Sequence, residues 1–278
     1  MLDETVQKQV IQTGRDFTKG YTLNDPFDDF ESDQELKRPQ PPLVKNPVTP
    51  AETHIPLCKD FSGLDLKNDL ISLIRDRRSA RIFTEEDMSL DALSFLLWAT
   101  QGIKSVRGKA YATIRTVPCG GARHQFETYL LIRKVGNLAP GAYHYLPMEH
   151  ALEFLHPVED MESVISDTLS GQSWGAKANV VFYWSMVPYR AEWRYGVYAH
   201  RVALIDLGHI GQALYTACNG IGVGCCGVGA FQHEACAELF GLDGEEEYIV
   251  YTTPVGTIRE KDKEKEQAFY QFVIDEGL

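Results

Sequence analysis

No run in this chain approaches the roughly 20 consecutive apolar residues that a membrane-spanning helix requires. The opening residues Met1-Leu2-Asp3-Glu4 lack the positive start and apolar stretch of a secretory signal. Positive charge is in deficit: 27 Lys and Arg stand against 39 Asp and Glu, a formal net charge of −12. No basic stripe offsets that balance, so a nucleic-acid partner is not expected. Cysteine is scarce as well. Six in 278 residues do not make a disulfide scaffold, and the expected compartment is the cytoplasm. No internal repeat is seen. What is present is an ordinary globular composition, 44% hydrophobic and 24% charged, long enough for one large domain or two small ones.

Against that acidic background, Arg77-Arg78-Ser79-Ala80-Arg81 places three guanidiniums around one hydroxyl. Guanidinium is a planar fork of donors that matches phosphate oxygens two at a time, and serine adds a short neutral bond. The pattern points to a fixed anionic ligand. The alternative is a solvated basic helix end whose charges favour the C-terminal dipole.

Residues 1–60 differ from the rest. They are polar and end in Arg38-Pro39-Gln40-Pro41-Pro42, then Pro47, Pro50 and Pro56. Proline removes donors and favours extended backbone. The expected organisation is an N-terminal arm over residues 1–60, packed on another surface or on a partner subunit, or partly disordered, followed by one domain over residues 61–278. Helices are expected at Leu66–Arg77, at Leu90–Gln101 between a Ser89 cap and a Gly102 stop, at Tyr195–Asn219 and at Glu234–Phe240. Strands are expected at Phe126–Val135, Val180–Val187 and Tyr248–Val255, with a hairpin over Gly141–Leu155. Alternation this uneven favours an α+β fold over a doubly wound sheet.

Gly222-Val223-Gly224-Cys225-Cys226-Gly227 fits G-x-G-x-x-G by letter. It follows a helix rather than a strand, so the dinucleotide-fold reading is rejected. Its glycines, continuing to Val228-Gly229, can still bring backbone close to a flat ligand, or simply form a helix end and turn. Pro118-Cys119-Gly120-Gly121-Ala122 is a second small-residue loop, open to the same two readings. Cys218, Cys225, Cys226 and Cys236 lack the paired spacing of structural zinc, and buried thiols are expected there rather than a metal. Asp206 and His209, three apart on a helix, are expected to form a hydrogen-bonded pair. Arg194-Tyr195 reads as the start of the long helix. A cation beside a phenol there supplies charge stabilisation and proton transfer, or is only an ordinary first turn.

Together these pieces resemble the nitroreductase-like flavoproteins. The carriers are Arg77 to Phe83, Pro118 to Ala122, and Gly227 to Phe231. Within that group the likeness is to SagB-type dehydrogenases. It rests on Gly141-Ala142-Tyr143-His144-Tyr145-Leu146-Pro147, Trp193-Arg194-Tyr195-Gly196 and Asp206-Leu207-Gly208-His209. The resemblance implies a mixed sheet flanked by helices, a domain-swapped type of homodimer, and FMN sites at the subunit interface. It implies NAD(P)H as hydride donor and a small-molecule substrate. It assigns Arg77, Arg78, Ser79 and Arg81 to the FMN phosphate, ribityl chain and ring edge. Pro118, Cys119 and Gly120 would approach the flavin from the partner chain. Gly227, Val228 and Gly229 would address the ring through backbone N–H groups. A late basic residue would complete phosphate binding, with Arg259, Lys261 and Lys263 as candidates. Arg194 stands where SagB-type enzymes carry lysine. Arginine stays protonated and cannot serve as a base, which leaves Tyr195 as the proton-transfer candidate of that pair. Arg123 and His124, extra polar groups beside the loop, would face an anionic substrate.

Overall fold

The computed structural model describes residues 3–19 and 29–277, except the side chains of Lys263 and Gln267. Its centre is a seven-stranded sheet. In chain order the strands are β1 (Ile55–Pro56), β4 (Phe126–Ile132), β5 (Gly141–Leu146), β6 (Ala151–Pro157), β7 (Val180–Met186), β8 (Val223–Cys225) and β9 (Tyr248–Thr257). Their spatial order is β1-β6-β5-β4-β7-β9-β8, and each ladder is antiparallel. A separate hairpin pairs β2 (Ile103–Arg107) with β3 (Ala112–Arg115). The fold class is α+β, with helices on both faces of the sheet.

Every residue of β7 is buried, as its nearly unbroken apolar run requires of a strand covered on both faces. Period-two alternation splits those side chains. Phe182, Trp184 and Met186 face a core layer shared with Leu93, Leu96 and Leu97 of α3 (Leu90–Gln101) and with Leu207, Ile210 and Leu214 of α6 (Ala199–Gly220). Val181 and Tyr183 face a second layer with Ile165 of α4 (Met161–Thr168) and Phe240 of α7 (His233–Phe240). Ser89 caps α3 by accepting from the N–H of Ala92, 3.1 Å away, and Gly102 follows its last turn.

Two helices depart from expectation. The segment expected to be helical from Leu66 is helical only as α2 (Leu70–Arg75), because Asp69 caps it through the N–H groups of Ile71 and Ser72. The long helix does not begin at Tyr195. Arg194 and Tyr195 end α5 (Pro188–Tyr195), and a short 3-10 turn precedes α6. The break is Gly196, at φ +46°, ψ −122°. That conformation suits glycine, and the site is crowded: an added Cβ would lie 1.9 Å from the Phe30 ring. No helix among the described residues is long and apolar enough to cross a membrane.

Phe30 belongs to the arm, which packs on its own domain. The arm begins with an exposed helix, α1 (Glu4–Thr18), whose Thr18 carbonyl accepts from Arg201 at 3.3 Å. From Phe30 onward it is stitched down. The Gln34 N–H donates to the carbonyl of Trp193 at 2.8 Å. Lys45 reaches three groups: its N–H donates to Glu127 at 2.7 Å, and its ammonium meets Tyr129 at 2.7 Å and Glu247 at 2.5 Å. Val48 and Thr49 donate three bonds to one oxygen of Glu153, at 2.9, 3.0 and 2.9 Å. The arm then adds β1 to the edge of the sheet. Proline-rich backbone has few internal hydrogen bonds to make, so buried carboxylates of the sheet provide them.

Candidate active site

The Arg77–Arg81 segment is irregular chain between α2 and the sheet. Arg77, Arg78 and Ser79 line one cavity of about 310 Å³ with Glu266 and Tyr270. None of Arg77, Arg78 and Arg81 ion-pairs with a carboxylate among the described residues. Arg77 lies over the ring of Tyr215 at 5.3 Å. Arg81 lies among Trp174, Phe269 and Tyr270, at 6.0, 5.5 and 5.7 Å. One oxygen of Glu266 accepts from the N–H groups of Arg81 and Ile82, at 2.6 and 2.8 Å. Arg77 and Arg78, without a carboxylate partner beside the Ser79 hydroxyl at a cavity, suit a phosphate.

Tyr215 joins this segment to the glycine-rich loop. Its hydroxyl lies 3.1 Å from Ser79 Oγ and accepts from the Gly227 N–H at 2.8 Å. The structure therefore brings together two groups that the sequence placed 148 positions apart (Ser79 and Gly227). Backbone access differs from expectation. The Gly227 N–H is engaged by Tyr215, and the Val228 N–H donates to Thr252 O at 2.8 Å. Only the Gly229 N–H of that trio has no partner among the described residues. Gly227 also lies under Tyr251, whose hydroxyl would sit 1.8 Å from an added Cβ. Arg259 pairs with Asp262 at 2.9 Å. Its neighbours Ile258 and Glu260 line a further cavity, of about 180 Å³, that Arg78 shares. Lys261 is exposed, and the Lys263 side chain lies outside the described residues.

The Pro118–Ala122 loop gathers around the other end of α6. Asp206 accepts from the Gly120 N–H at 2.9 Å, from Gln125 at 3.1 Å and from the Cys119 thiol at 3.2 Å. Its expected partner His209 stands 3.9 Å off, with its side chain 43% exposed. Asp206 is thus the anchor of the loop rather than half of a helix pair. Burial, with the Asp206 charge beside it, pushes the Cys119 thiol up to about 12, so it is a donor and not a thiolate. An added Cβ at Gly121 would meet the Arg194 side chain at 2.5 Å and the Tyr195 hydroxyl at 2.8 Å. The two glycines therefore let the loop lie directly on Arg194 and Tyr195. The loop lies further back along α6 than Ser79 and Gly227. It touches Val202 and bonds Asp206, and the nine helical residues from Asp206 to Tyr215 span about 14 Å.

Arg123 and His124, expected to meet an anionic substrate, are turned inward. Both are buried. Arg123 donates to the carbonyls of Gly121 and Tyr111 at 3.0 and 2.9 Å, between the rings of Tyr111 and Trp193. Burial holds His124 neutral, far below the usual histidine range, down to about 2. Beneath them runs a buried ionic chain with no linear motif. Arg190 pairs with Glu127 at 2.6 Å, and His144 bridges Glu127 and Glu153 at 3.4 and 2.7 Å. Burial alone would raise Glu127, but Arg190 and His144 hold it below the carboxylate range. The cysteines do not form one group: Cys218 and Cys225 pack in one core layer and Cys236 in the other.

Known proteins share this architecture. Residues 74–257 match the family model described as "Nitroreductase family". A protein of Methanocaldococcus jannaschii assigned as a nitroreductase is 28% identical over 197 residues, 71% of this chain and 93% of its own. A Ralstonia eutropha structure assigned to the same class covers 80% of this chain and 98% of its own, at TM-score 0.61 and 22% identity. The E. coli microcin synthetase complex McbBCD covers 93% of this chain and 95% of its own, at TM-score 0.55 and 16% identity. The chain belongs to the nitroreductase family. It is an oxidoreductase of that fold.

Proposed function

We propose that this protein is an FMN-dependent oxidoreductase working as a homodimer. When bound, FMN supplies a two-electron carrier between NADH or NADPH and a small electrophile such as a nitroaromatic or a quinone-like compound. The observation that carries the reading is the set of unpaired guanidiniums around Ser79, in a chain of this family. Arg77, Arg78 and Ser79 hold the phosphate and ribityl chain, with Arg259 released from Asp262 to complete the phosphate contacts. Arg81 lies at the ring edge, and the Gly229 N–H faces the ring. The Gly227–Gly229 loop orients it on the Tyr215 hydroxyl.

A homodimer suits the spacing along α6. The loop's anchor Asp206 lies about 14 Å along the helix from Tyr215, which holds Ser79 and Gly227, and in this reading Pro118, Cys119 and Gly120 approach the flavin of a second chain. The exposed apolar Leu204 and Ile205 on α6 suit such an interface. Tyr195, beside that loop, provides the proton that accompanies reduction. Arg194 stays charged.

The test is the visible spectrum of the purified protein, release of the chromophore by heat, and anaerobic addition of NADH or NADPH. A yellow protein that releases FMN and is bleached by either nicotinamide is the expected result. A colourless protein that takes up no FMN refutes the reading. FMN that is bleached only by a peptide-borne heterocycle assigns the protein instead to SagB-type dehydrogenation. FMN that no donor reduces makes it a flavin-binding protein without turnover.

A further inference from the structure

Four guanidiniums crowd the region under the Pro118–Ala122 loop, and three are each held through at least two of their nitrogens. Arg115 donates to Thr113, Gln101 and the carbonyl of Leu43. Arg190 donates to the carbonyl of His124 and pairs with Glu127. Arg123 is held by two carbonyls between two aromatic rings. Arg194 is different. Only its Nη1 is engaged, donating to Gln34 Oε1 at 3.0 Å and to the Tyr111 hydroxyl at 3.1 Å. Its Nε and Nη2 have no hydrogen-bond partner and no carboxylate among the described residues; Gly121 packs on Cδ and Nε, and the guanidinium lies over the Tyr195 ring at 5.7 Å. Arg194 is only partly exposed.

The anchor is itself rigid. Gln34 Nε2 donates to the same Tyr111 hydroxyl at 3.0 Å, closing a triangle with Arg194. The Tyr111 carbonyl is clamped by Gln40 and Arg123, each at 2.9 Å. The Tyr111 oxygen thus accepts two bonds while its own proton has no acceptor among the described residues. The bond from Gln34, with the charges of Arg194 and Arg123 nearby, holds this phenol below the usual tyrosine range and makes it a better donor.

We propose that Arg194, positioned by Tyr111 and by Gln34 of the arm, is a carboxylate-recognition site, so that the preferred substrate carries an anionic group beside its reducible group. The free Nε and Nη2 of a guanidinium form a planar fork that matches a carboxylate bidentately, and the Tyr111 proton is a third donor. A partly buried cation without a counter-charge is costly until an anion arrives. In a chain with 39 acidic residues, leaving this one unpaired reserves it for a ligand. The inference rests on the proposed reading, which sets the adjoining loop beside the flavin.

The test is calorimetric titration of the purified protein with 4-nitrobenzoate and with 4-nitrobenzamide. No nicotinamide is present, so no turnover occurs. The wild type is expected to bind the acid at least tenfold tighter than the amide. Arg194→Gln should abolish that difference by weakening the acid alone, and Arg194→Lys should restore only part of it. Equal binding of acid and amide by the wild type overturns the proposal, as does a difference that survives in Arg194→Gln. Parallel titrations with NADP⁺ and NAD⁺ separate the two sources of an anion. Loss of discrimination between these in Arg194→Gln, with acid and amide alike throughout, assigns the fork to the dinucleotide phosphate and overturns the substrate assignment. Should Arg194→Gln fail to fold, Tyr111→Phe is expected to narrow the acid-to-amide ratio, and an unchanged ratio overturns the proposal. Absence of FMN from the same samples would count against the flavoprotein reading and is read separately, in the visible spectrum.

Discussion

Replacing Glu153 with alanine should detach the arm from the sheet. One Glu153 oxygen takes three bonds from Val48 and Thr49, and the other takes His144 at 2.7 Å. The Glu153 side chain is 1% exposed and that of His144 2%. Breaking a buried ionic pair by removing one partner costs about 3–5 kcal/mol. Val48 and Thr49 lie nearer solvent, so water replaces part of their loss and the low half of that range is expected. At roughly 2 °C per kcal/mol for a chain of this size, the midpoint of thermal unfolding should fall by about 6–8 °C. Circular dichroism measures that shift. Trypsin measures its location, because Lys45 is held by Glu247 and Tyr129 and becomes cleavable once the arm lifts. Glu153→Gln keeps an acceptor for the arm and loses only the charge, so it should cost about 1–2 kcal/mol, less than alanine. An alanine variant with an unchanged midpoint and unchanged cutting after Lys45 would refute the claim that this carboxylate anchors the arm.

Four further outcomes are expected. Arg77→Ala combined with Arg81→Ala should weaken FMN binding by roughly 1.5–3 kcal/mol per lost charge-assisted bond; unchanged affinity in fluorescence titration of the folded variant places the phosphate elsewhere. Gly227→Ala should displace Tyr251, which stacks on Trp184 at 5.5 Å between centroids. It should cost about 1–3 kcal/mol as overpacking, read by urea unfolding. Acid should loosen the arm before the core. Glu153 is held down at about 2 against 4.5 when unperturbed, so its contribution is full above pH 4.5 and is lost as pH falls toward 2. His144 is raised above 6.5 by Glu127 and Glu153 against the effect of burial. Its contribution is full below 6.5 and is lost as pH rises through its folded value. Tryptic cutting of acid-incubated protein checks the first, and unfolding midpoints between pH 6 and 9 check the second.

Much of the scaffold was legible from local pattern. The α3 helix shows its cap, its apolar spacing and its glycine stop within fourteen residues (Ser89 to Gly102). The β5–β6 hairpin and the apolar β7 were legible for the same reason: each is decided by neighbours a few positions away. The long helix was misplaced at its start because Gly196 breaks it only with Phe30 packed against it, a contact 166 positions away in sequence. Asp206 was paired with His209 by helical spacing, while its acceptors are filled from the loop near Gly120. Spacing says which residues share a face, not which partner that face meets.

The candidate site divides in the same way. The amino-acid sequence by itself determined that Arg77, Arg78, Ser79 and Arg81 form a cationic, donor-rich segment, because charge and donor geometry belong to the side chains whatever the fold. It also determined which loops have room for close backbone approach, since glycine lacks a Cβ. Tertiary structure alone decided which donors stay free. Tyr215 takes the Gly227 N–H, Thr252 takes that of Val228, and Arg123 is spent on two carbonyls, while Arg194 keeps an open edge. A hydrogen bond consumes a donor only when its partner arrives. These partners come from distant strands, helices and the arm, and only packing brings them within 3 Å.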